Sequence, residues 1–296
     1  MSAYVDEHRE RFGVEPICRV LGVSASAYYE RAAGHRSVRQ VEDERLLRRI
    51  SALHEANYAA YGSRRMWKKL LREGEQVGRD RVARIMRQNA IQGAKRRGKP
   101  WRTTKPDPAA HRPPDLVRRQ FVAARPDELW FADFTYLRCW EGVVFFSFVI
   151  DAYSRRIVGW QFAPHMRTTL VLDALRMALH QRSPGADVAL VHHGDAGSQY
   201  TSFDYTQTLE DHGVLASIGT VGDAYDNAVA ESFVDSFKTE LVADRTWATR
   251  SQLELAVLEY VAWFNNERLH EALDDRPPRE IEEQYAARRA ATTPTQ

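Results

Sequence analysis

Apolar positions recur at helical spacing through the first third of the chain and at strand spacing through its centre. Residues 14–33, VEPICRVLGVSASAYYERAA, place Ile17, Val20 and Leu21 on one stripe, end a helix at Gly22, and offer Ser24 as the cap of a second helix carrying Tyr28 and Tyr29. Residues 41–56 read as a long amphipathic helix with Leu46, Leu47, Ile50 and Leu53 on one side. Residues 61–72, YGSRRMWKKLLR, predict a helix that buries Met66, Trp67, Leu70 and Leu71 and exposes Arg64, Arg65, Lys68, Lys69 and Arg72. After a Gly-bounded turn at 74–78, Asp80 is expected to cap a helix over 81–89, with Val82, Ile85 and Met86 inward and Arg81, Arg84 and Arg87 outward. Both helix pairs around a short turn have helix-turn-helix spacing.

From residue 128 the period shifts. Residues 129–140, 143–151 and 156–161 predict three strands joined by short turns, hence an antiparallel meander. A helix over 168–180 then carries the chain to a fourth strand, VALVHHG at 188–194, parallel to the first after that crossover. A helix over 203–212, a short strand at 215–218, a Gly-containing loop at 219–225 and a helix over 226–242, capped by Asp226, complete the order β-β-β-α-β-α-β-α. The predicted architecture is an α/β core of three layers with a mixed five-stranded sheet, preceded by an all-α region. Its divisions fall at 1–92 (helical, with helix-turn-helix units), 93–126 (basic, Pro-rich linker), 127–245 (core) and 246–296 (helical extension and tail). In the extension, Trp263 and Phe264 are expected to pack on the core. Arg268 and His270 are read as structural or DNA-reaching, and 286–296 as a frayed tail.

Composition sharpens this division. The net charge of +2 over 296 residues conceals a split: residues 1–126 carry +14 and residues 127–296 carry −12. Such asymmetry points to a front half that binds a polyanion and a rear half with another task. No stretch of membrane-spanning length and hydropathy occurs, and the charged N-terminus lacks a signal-peptide core. Two cysteines, Cys18 and Cys139, make neither a zinc site nor a disulfide framework, so a reducing cytoplasm is expected.

The candidate chemistry centres on 188–202, VALVHHGDAGSQYTS. Taken alone, Asp195 at the end of its strand is a turn residue. Asp133, however, stands in the middle of an aromatic strand, where a carboxylate is costly unless compensated. Glu231 lies one turn into the helix after the Gly loop. Three acids converging from separate elements can hold two hard divalent cations, the arrangement that stabilises entering and leaving oxygens at phosphorus. On that helix Asn227, Glu231 and Lys238 share one face. Lys238 is read either as a phosphate contact or as half of an ion pair with Asp235, and Asn227 as a DNA contact or part of the cap. His192 and His193 are read as supporting rather than zinc-binding, and Ser198, Gln199 and Tyr200 as shaping the loop and touching DNA.

These residues carry a resemblance. Asp133, Asp195 62 positions later, and Glu231 after 35 intervening residues resemble the DDE signature of retroviral integrases and bacterial relatives. WFADFTY, HHGDAGSQYTS, DAYDNAVAESFVDSFKTEL and WFNNERLHEALDDRPP are similar to motifs of insertion-sequence transposases of the copy-out, paste-in type, and RFGVEPICRVLGVS and YGSRR extend the likeness to the front half. Gly194 departs from the Ser usual there. The resemblance implies an RNase-H-like core binding two Mg²⁺, with Mn²⁺ able to substitute, through Asp133, Asp195 and Glu231. It implies strand cleavage by water at the element ends, then strand transfer by the freed 3′-hydroxyl. Implied partners are the terminal inverted repeats, target DNA, further copies of the chain on DNA, and an upstream-frame product as partner or fusion, with no membrane. The implied place is the bacterial cytoplasm, at the nucleoid. DNA-binding candidates are Lys238, Asn227, Arg64, Arg65, Lys68, Arg81, Arg84 and Arg87. Two other readings stay open: a catalytically inactive DNA-binding regulator derived from a transposase, and another RNase-H-like nuclease.

Overall fold

The structure, a computed structural model, describes the chain except residues 1, 35, 96–113, 118–121, 185–188, 196, 220–227, 244 and 293–296. Helices α1 (Ser2–Phe12), α2 (Val14–Leu21) and α3 (Ala25–Ala32) enclose a small core of Val5, Val14, Ile17, Cys18 and Tyr28. Gly22 closes α2 in the left-handed region at φ 65°, and the Ser24 side chain caps α3 by accepting from the Ala27 amide at 3.3 Å. Val20 leaves the expected stripe and is 87% exposed, because a two-turn helix buries only the side turned to its two neighbours. α1 carries no clean apolar stripe, so the helical pattern does not single it out; the buried Val5 and the Tyr28–Asp6 hydrogen bond tie it to the pair.

Helices α4 (Val38–Ala56), α5 (Ser63–Arg72) and α6 (Arg79–Gln88) bury Leu46, Ile50, Leu53, Met66, Leu70, Val82, Ile85 and Met86 against one another. Asp80 lies inside α6 rather than capping it; the N-cap is Gly78. Leu71 is 38% exposed, since α5 turns Met66 and Leu70 inward and leaves Leu71 on the outer flank.

The core sheet holds β1 (Leu129–Cys139), β2 (Gly142–Asp151), β3 (Ile157–Ala163), β4 (Val191–Gly194) and β5 (Leu215–Ile218) in the order β3-β2-β1-β4-β5. The first three run antiparallel, while β4 and β5 run parallel to β1. One face packs on α7 (Thr168–Arg182) and α8 (Phe203–Asp211) through Trp130, Ala132, Val149 and Val158. β3 approaches α7 so closely that a Cβ on Gly159 would lie 2.2 Å from the Ala174 carbonyl oxygen. The other face packs Phe131, Phe146 and Phe148 on α9 (Ala228–Phe237) and α10 (Arg250–Asn266). This is the mixed three-layer RNase-H-like arrangement expected from the sequence. α9 does not continue as α-helix to residue 242 but widens into a π turn, Lys238–Val242.

The C-terminal part departs most from expectation. A 3₁₀ turn (Glu271–Leu273) leads into α11 (Pro278–Thr292), so residues 286–292 are helical rather than frayed. α11 is held by Glu282, which accepts from Arg156 at 3.1 Å, Arg182 at 2.9 Å and Ser154 at 2.8 Å. The helical unit α4–α6 shares one continuous apolar cluster with this extension and the sheet. Near the end of the linker, Val117 and Ala123 are buried and the Leu116 amide donates to Ser217 at 2.9 Å; residues 96–113 lie outside the described part. No described helix is long and apolar enough to cross a membrane.

Candidate active site

β1 places Asp133. Alternation along the strand puts it on the side of Phe131 and Thr135, facing α9, while Trp130 and Ala132 face α7. Phe131 pairs with His193 across the parallel β1–β4 ladder, so Asp195, two residues past His193, emerges beside Asp133. The parallel register sets the end of β4 beside the middle of β1 and so brings the two acids together although 62 positions separate them. Asp195 closes the loop after β4 by accepting from the Gly197 amide at 2.9 Å. Asp133 accepts from the Phe134 amide at 2.7 Å.

The electrostatics record that convergence. Burial, then the charge of Asp195, then that of Glu231 push the Asp133 carboxyl up to about 8; the Phe134 amide and Lys238 oppose this. Glu231, exposed in the first turn of α9, is raised by partial burial and by Asp235. Lys238, two turns later, sits 4.8 Å over the Tyr136 ring, and burial lowers its ammonium against the pull of Asp133 and Asp235. Asp133, Asp195, Glu231 and Lys238 therefore share one side of the sheet. Asn227 and Asp226 lie outside the described residues. Among the described residues, no group of three or more His, Cys, Asp and Glu stands close enough together to hold a metal ion. The three acids are gathered but not closed into a coordination shell.

The surroundings correct several expectations. Tyr200 is 1% exposed, wedged against Phe134 and Tyr205, so it supports the site from below rather than touching DNA. A Cβ on Gly194 would come within 3.1 Å of the Tyr200 ring, which gives the glycine a packing reason. His192 and His193 are buried supports: His192 meets the Tyr205 hydroxyl at 3.1 Å and is lowered to about 3 by burial, and His193 meets Ser217 at 2.8 Å. Arg268 and His270 do not reach solvent; both are buried. Trp263 and Phe264 pack on the core as expected.

The basic candidates are less free than an outward-facing pattern implies. Arg81 and Arg84 both donate to Asp43 of α4 at 2.7 Å. Arg64 pairs with Glu271 and lies 3.6 Å from Asp275. Arg65 is half-buried, its guanidinium lowered by burial and by Arg268. Lys68 lies 5.1 Å over the Trp67 ring, and Arg87 is exposed on α6. Sequence reading passed over Glu240, the buried partner of Arg268; its only signal is an acid on the inner side of an otherwise apolar helix end.

The matched families agree with both halves of this architecture. A family described as an HTH-like domain matches residues 40–99, and two described as integrase core domains match 123–224 and 212–278. They define the class, an integrase-type catalytic core behind a DNA-binding helical domain. The transposase for insertion sequence element IS629 of Shigella sonnei is 44% identical over 97% of this chain and 97% of its own length. The transposase for element IS904 of Lactococcus lactis is 33% identical over 83% of this chain and 96% of its own. Among solved structures, a simian T-cell lymphotropic virus intasome in complex with a PP2A regulatory subunit is similar at 11% identity and TM-score 0.46, over 79% of this chain and 74% of that one. The chain belongs to the DDE transposases of bacterial insertion sequences, which are polynucleotidyl transferases.

Proposed function

We propose that this transposase cleaves the ends of its own insertion sequence and joins the freed 3′-hydroxyl ends to target DNA, with Asp133, Asp195 and Glu231 as the catalytic acids. The observation that carries the reading is the meeting of Asp133 and Asp195 on adjacent parallel strands, opposite Glu231 on α9 and Lys238 in the π turn that follows it. Burial, reinforced by the like charges of Asp195 and Glu231, drives the Asp133 carboxyl up to about 8; such a site suits a cation, and an all-carboxylate set suits a hard one, Mg²⁺ or Mn²⁺. Two such ions between the three acids supply, when bound, charge that activates water and stabilises the departing oxygen. Asp133 feels the charges of both Asp195 and Glu231, and the three carboxylates together would hold the cations. Gly197 steadies the Asp195 carboxylate through its amide. Lys238, screened from water by Tyr136, contacts a phosphate next to the scissile bond.

On α5 and α6, the exposed Arg87 and the half-buried Lys68, neither held in an ion pair among the described residues, serve as phosphate contacts, with Asn227 as a further DNA contact. Arg64, Arg65, Arg81 and Arg84 add to the positive field while engaged by neighbouring side chains. The terminal inverted repeats are the specific DNA partner. A dimer or larger assembly brings two ends together, and an upstream-frame product is a further partner or fusion. The work takes place on nucleoid DNA in the bacterial cytoplasm.

The test is Mg²⁺-dependent nicking and joining of terminal-repeat DNA by the wild type and by Asp195→Asn. Loss of both reactions in the variant, with end binding retained, is expected. Footprinting of the ends by a wild type that cleaves under neither Mg²⁺ nor Mn²⁺ overturns the reading in favour of a DNA-binding regulator.

A further inference from the structure

A buried ionic cluster lies behind the catalytic helix. Glu240, in the π turn that continues α9, is 8% exposed, and Arg268 of the extension is 4% exposed. The guanidinium grips the carboxylate through both ends, Nη2 to Oε1 at 2.6 Å and Nε to Oε2 at 2.8 Å. The Tyr260 hydroxyl donates to Oε2 at 2.8 Å, and Arg268 Nη1 donates to His270 Nδ1 at 3.1 Å. Burial, then Arg268, hold His270 well below its ordinary range, so the ring is neutral and accepts that bond.

The geometry gives this cluster leverage. Glu240 lies nine positions after Glu231, beyond the point where α9 widens into the π turn, and the two acids have different partners. Glu231 and Lys238 face Asp133, while Glu240 faces the extension. Between them Phe233 and Phe237 lie on Phe148 and Phe146 of the sheet, with ring centroids 4.5 and 5.1 Å apart. The Phe237–Phe146 rings are stacked at 24° and the Phe233–Phe148 rings tilted at 59°. Apolar ring contacts are non-directional enough to let a helix roll or slide; a forked, doubly hydrogen-bonded ion pair at its end does not. π turns interrupt α-helices mostly where a site demands a particular placement. The same extension is tied to the helical unit, with Tyr61 accepting from the Leu269 amide at 2.9 Å and Trp263 donating to Asn57 at 3.2 Å.

We propose that Glu240 and Arg268 are positioning residues, fixing the rotation of α9 that brings Glu231 and Lys238 to Asp133 and linking that rotation to the DNA-binding helical unit. The inference rests on the assignment of Glu231 and Lys238 to the active site.

The test uses the full chain carrying Glu240→Gln, which keeps shape and removes charge, and Arg268→Lys, which keeps charge and removes the fork. Amide hydrogen exchange is followed through α9 and, as control, through β1–β3. With the pair weakened, α9 amides exchange about tenfold faster while the sheet is unchanged. Binding of terminal-repeat DNA stays within about twofold, whereas Mg²⁺ binding measured by calorimetry weakens about 10- to 100-fold, the usual cost of losing a partner that orients a ligand. Arg268→Lys falls between the wild type and Glu240→Gln. If Glu240→Gln does not fold, Tyr260→Phe removes only the third bond to the same carboxylate and reports the same shifts at smaller scale. Folded variants with wild-type exchange in α9 and wild-type Mg²⁺ affinity overturn the proposal. A wild type that binds Mg²⁺ and protects α9 but cleaves no DNA would instead overturn the proposed reaction, leaving the positioning result standing.

Discussion

Gly197 lies so close to Asp195 that a Cβ added to it would stand 2.8 Å from the carboxylate Oδ1. The same residue donates its amide to that oxygen, so backbone and carboxylate can meet only where no side chain intervenes. Gly197→Ala should keep the fold, since the loop lies outside the main core. It should displace the Asp195 carboxylate by a few tenths of an ångström and lower strand cleavage about 10- to 100-fold, as misplacement of a catalytic group does. Steady-state nicking of end DNA beside a thermal melt checks this; wild-type nicking would show that the loop relaxes freely.

On the proposed role of Asp133 as a metal ligand, cation binding should depend on pH. The folded Asp133 carboxyl titrates at about 8, above the ordinary value of 3.8, so between those values the metal-free folded protein holds a proton that the unfolded chain has released. This group therefore contributes less to stability as pH rises through that window, in the absence of metal. A bound cation requires the carboxylate, so binding below pH 8 should release about one proton and apparent Mg²⁺ affinity should rise by up to tenfold per pH unit, levelling above the titration. Calorimetry in buffers of different ionisation enthalpy measures the proton count; none released at pH 7 contradicts the assignment.

Asp43 restrains two of the arginines offered to DNA. Arg84, then Arg81, hold its carboxyl below the usual range, so its contribution to stability is present above the unfolded value and is lost as pH falls through the folded one. Asp43→Asn should cost about 1 kcal/mol of stability, these partners being partly exposed. It should also tighten binding to random-sequence duplex and steepen its salt dependence by up to about two phosphate contacts. Fluorescence titrations across a salt series decide the matter; an unchanged slope would show that Arg81 and Arg84 do not face DNA.

Gly159 is a structural control. Its place in β3 leaves a new Cβ 2.2 Å from the Ala174 carbonyl and 2.8 Å from the Ala178 methyl, in backbone that cannot move alone. Gly159→Ala should destabilise the core by about 1–3 kcal/mol or more through overpacking. A fall in the denaturant midpoint with an unchanged slope would confirm it, and no change would place the contact wrongly.

The sequence by itself determined the order of the core elements and singled out Asp133, Asp195 and Glu231 as candidates. Alternation of apolar residues at 129–151 specifies strands, helical spacing at 46–53 and 170–179 specifies helices, and both depend only on near neighbours. Asp133 stood out because a charge in an aromatic strand needs a reason. The rest depended on distances the chain order does not contain. Arg81 and Arg84 read as outward until α4 brought Asp43 across them. Arg268 read as exposed or structural until α10 carried it back to Glu240, 28 positions earlier, where apolar walls make a bidentate pair the only tolerable state for either charge. Tyr200 read as a surface residue until the sheet closed over it. Local periodicity decides which side of an element is apolar. Only tertiary packing decides which polar side chains on the other sides meet a partner and which remain free for DNA.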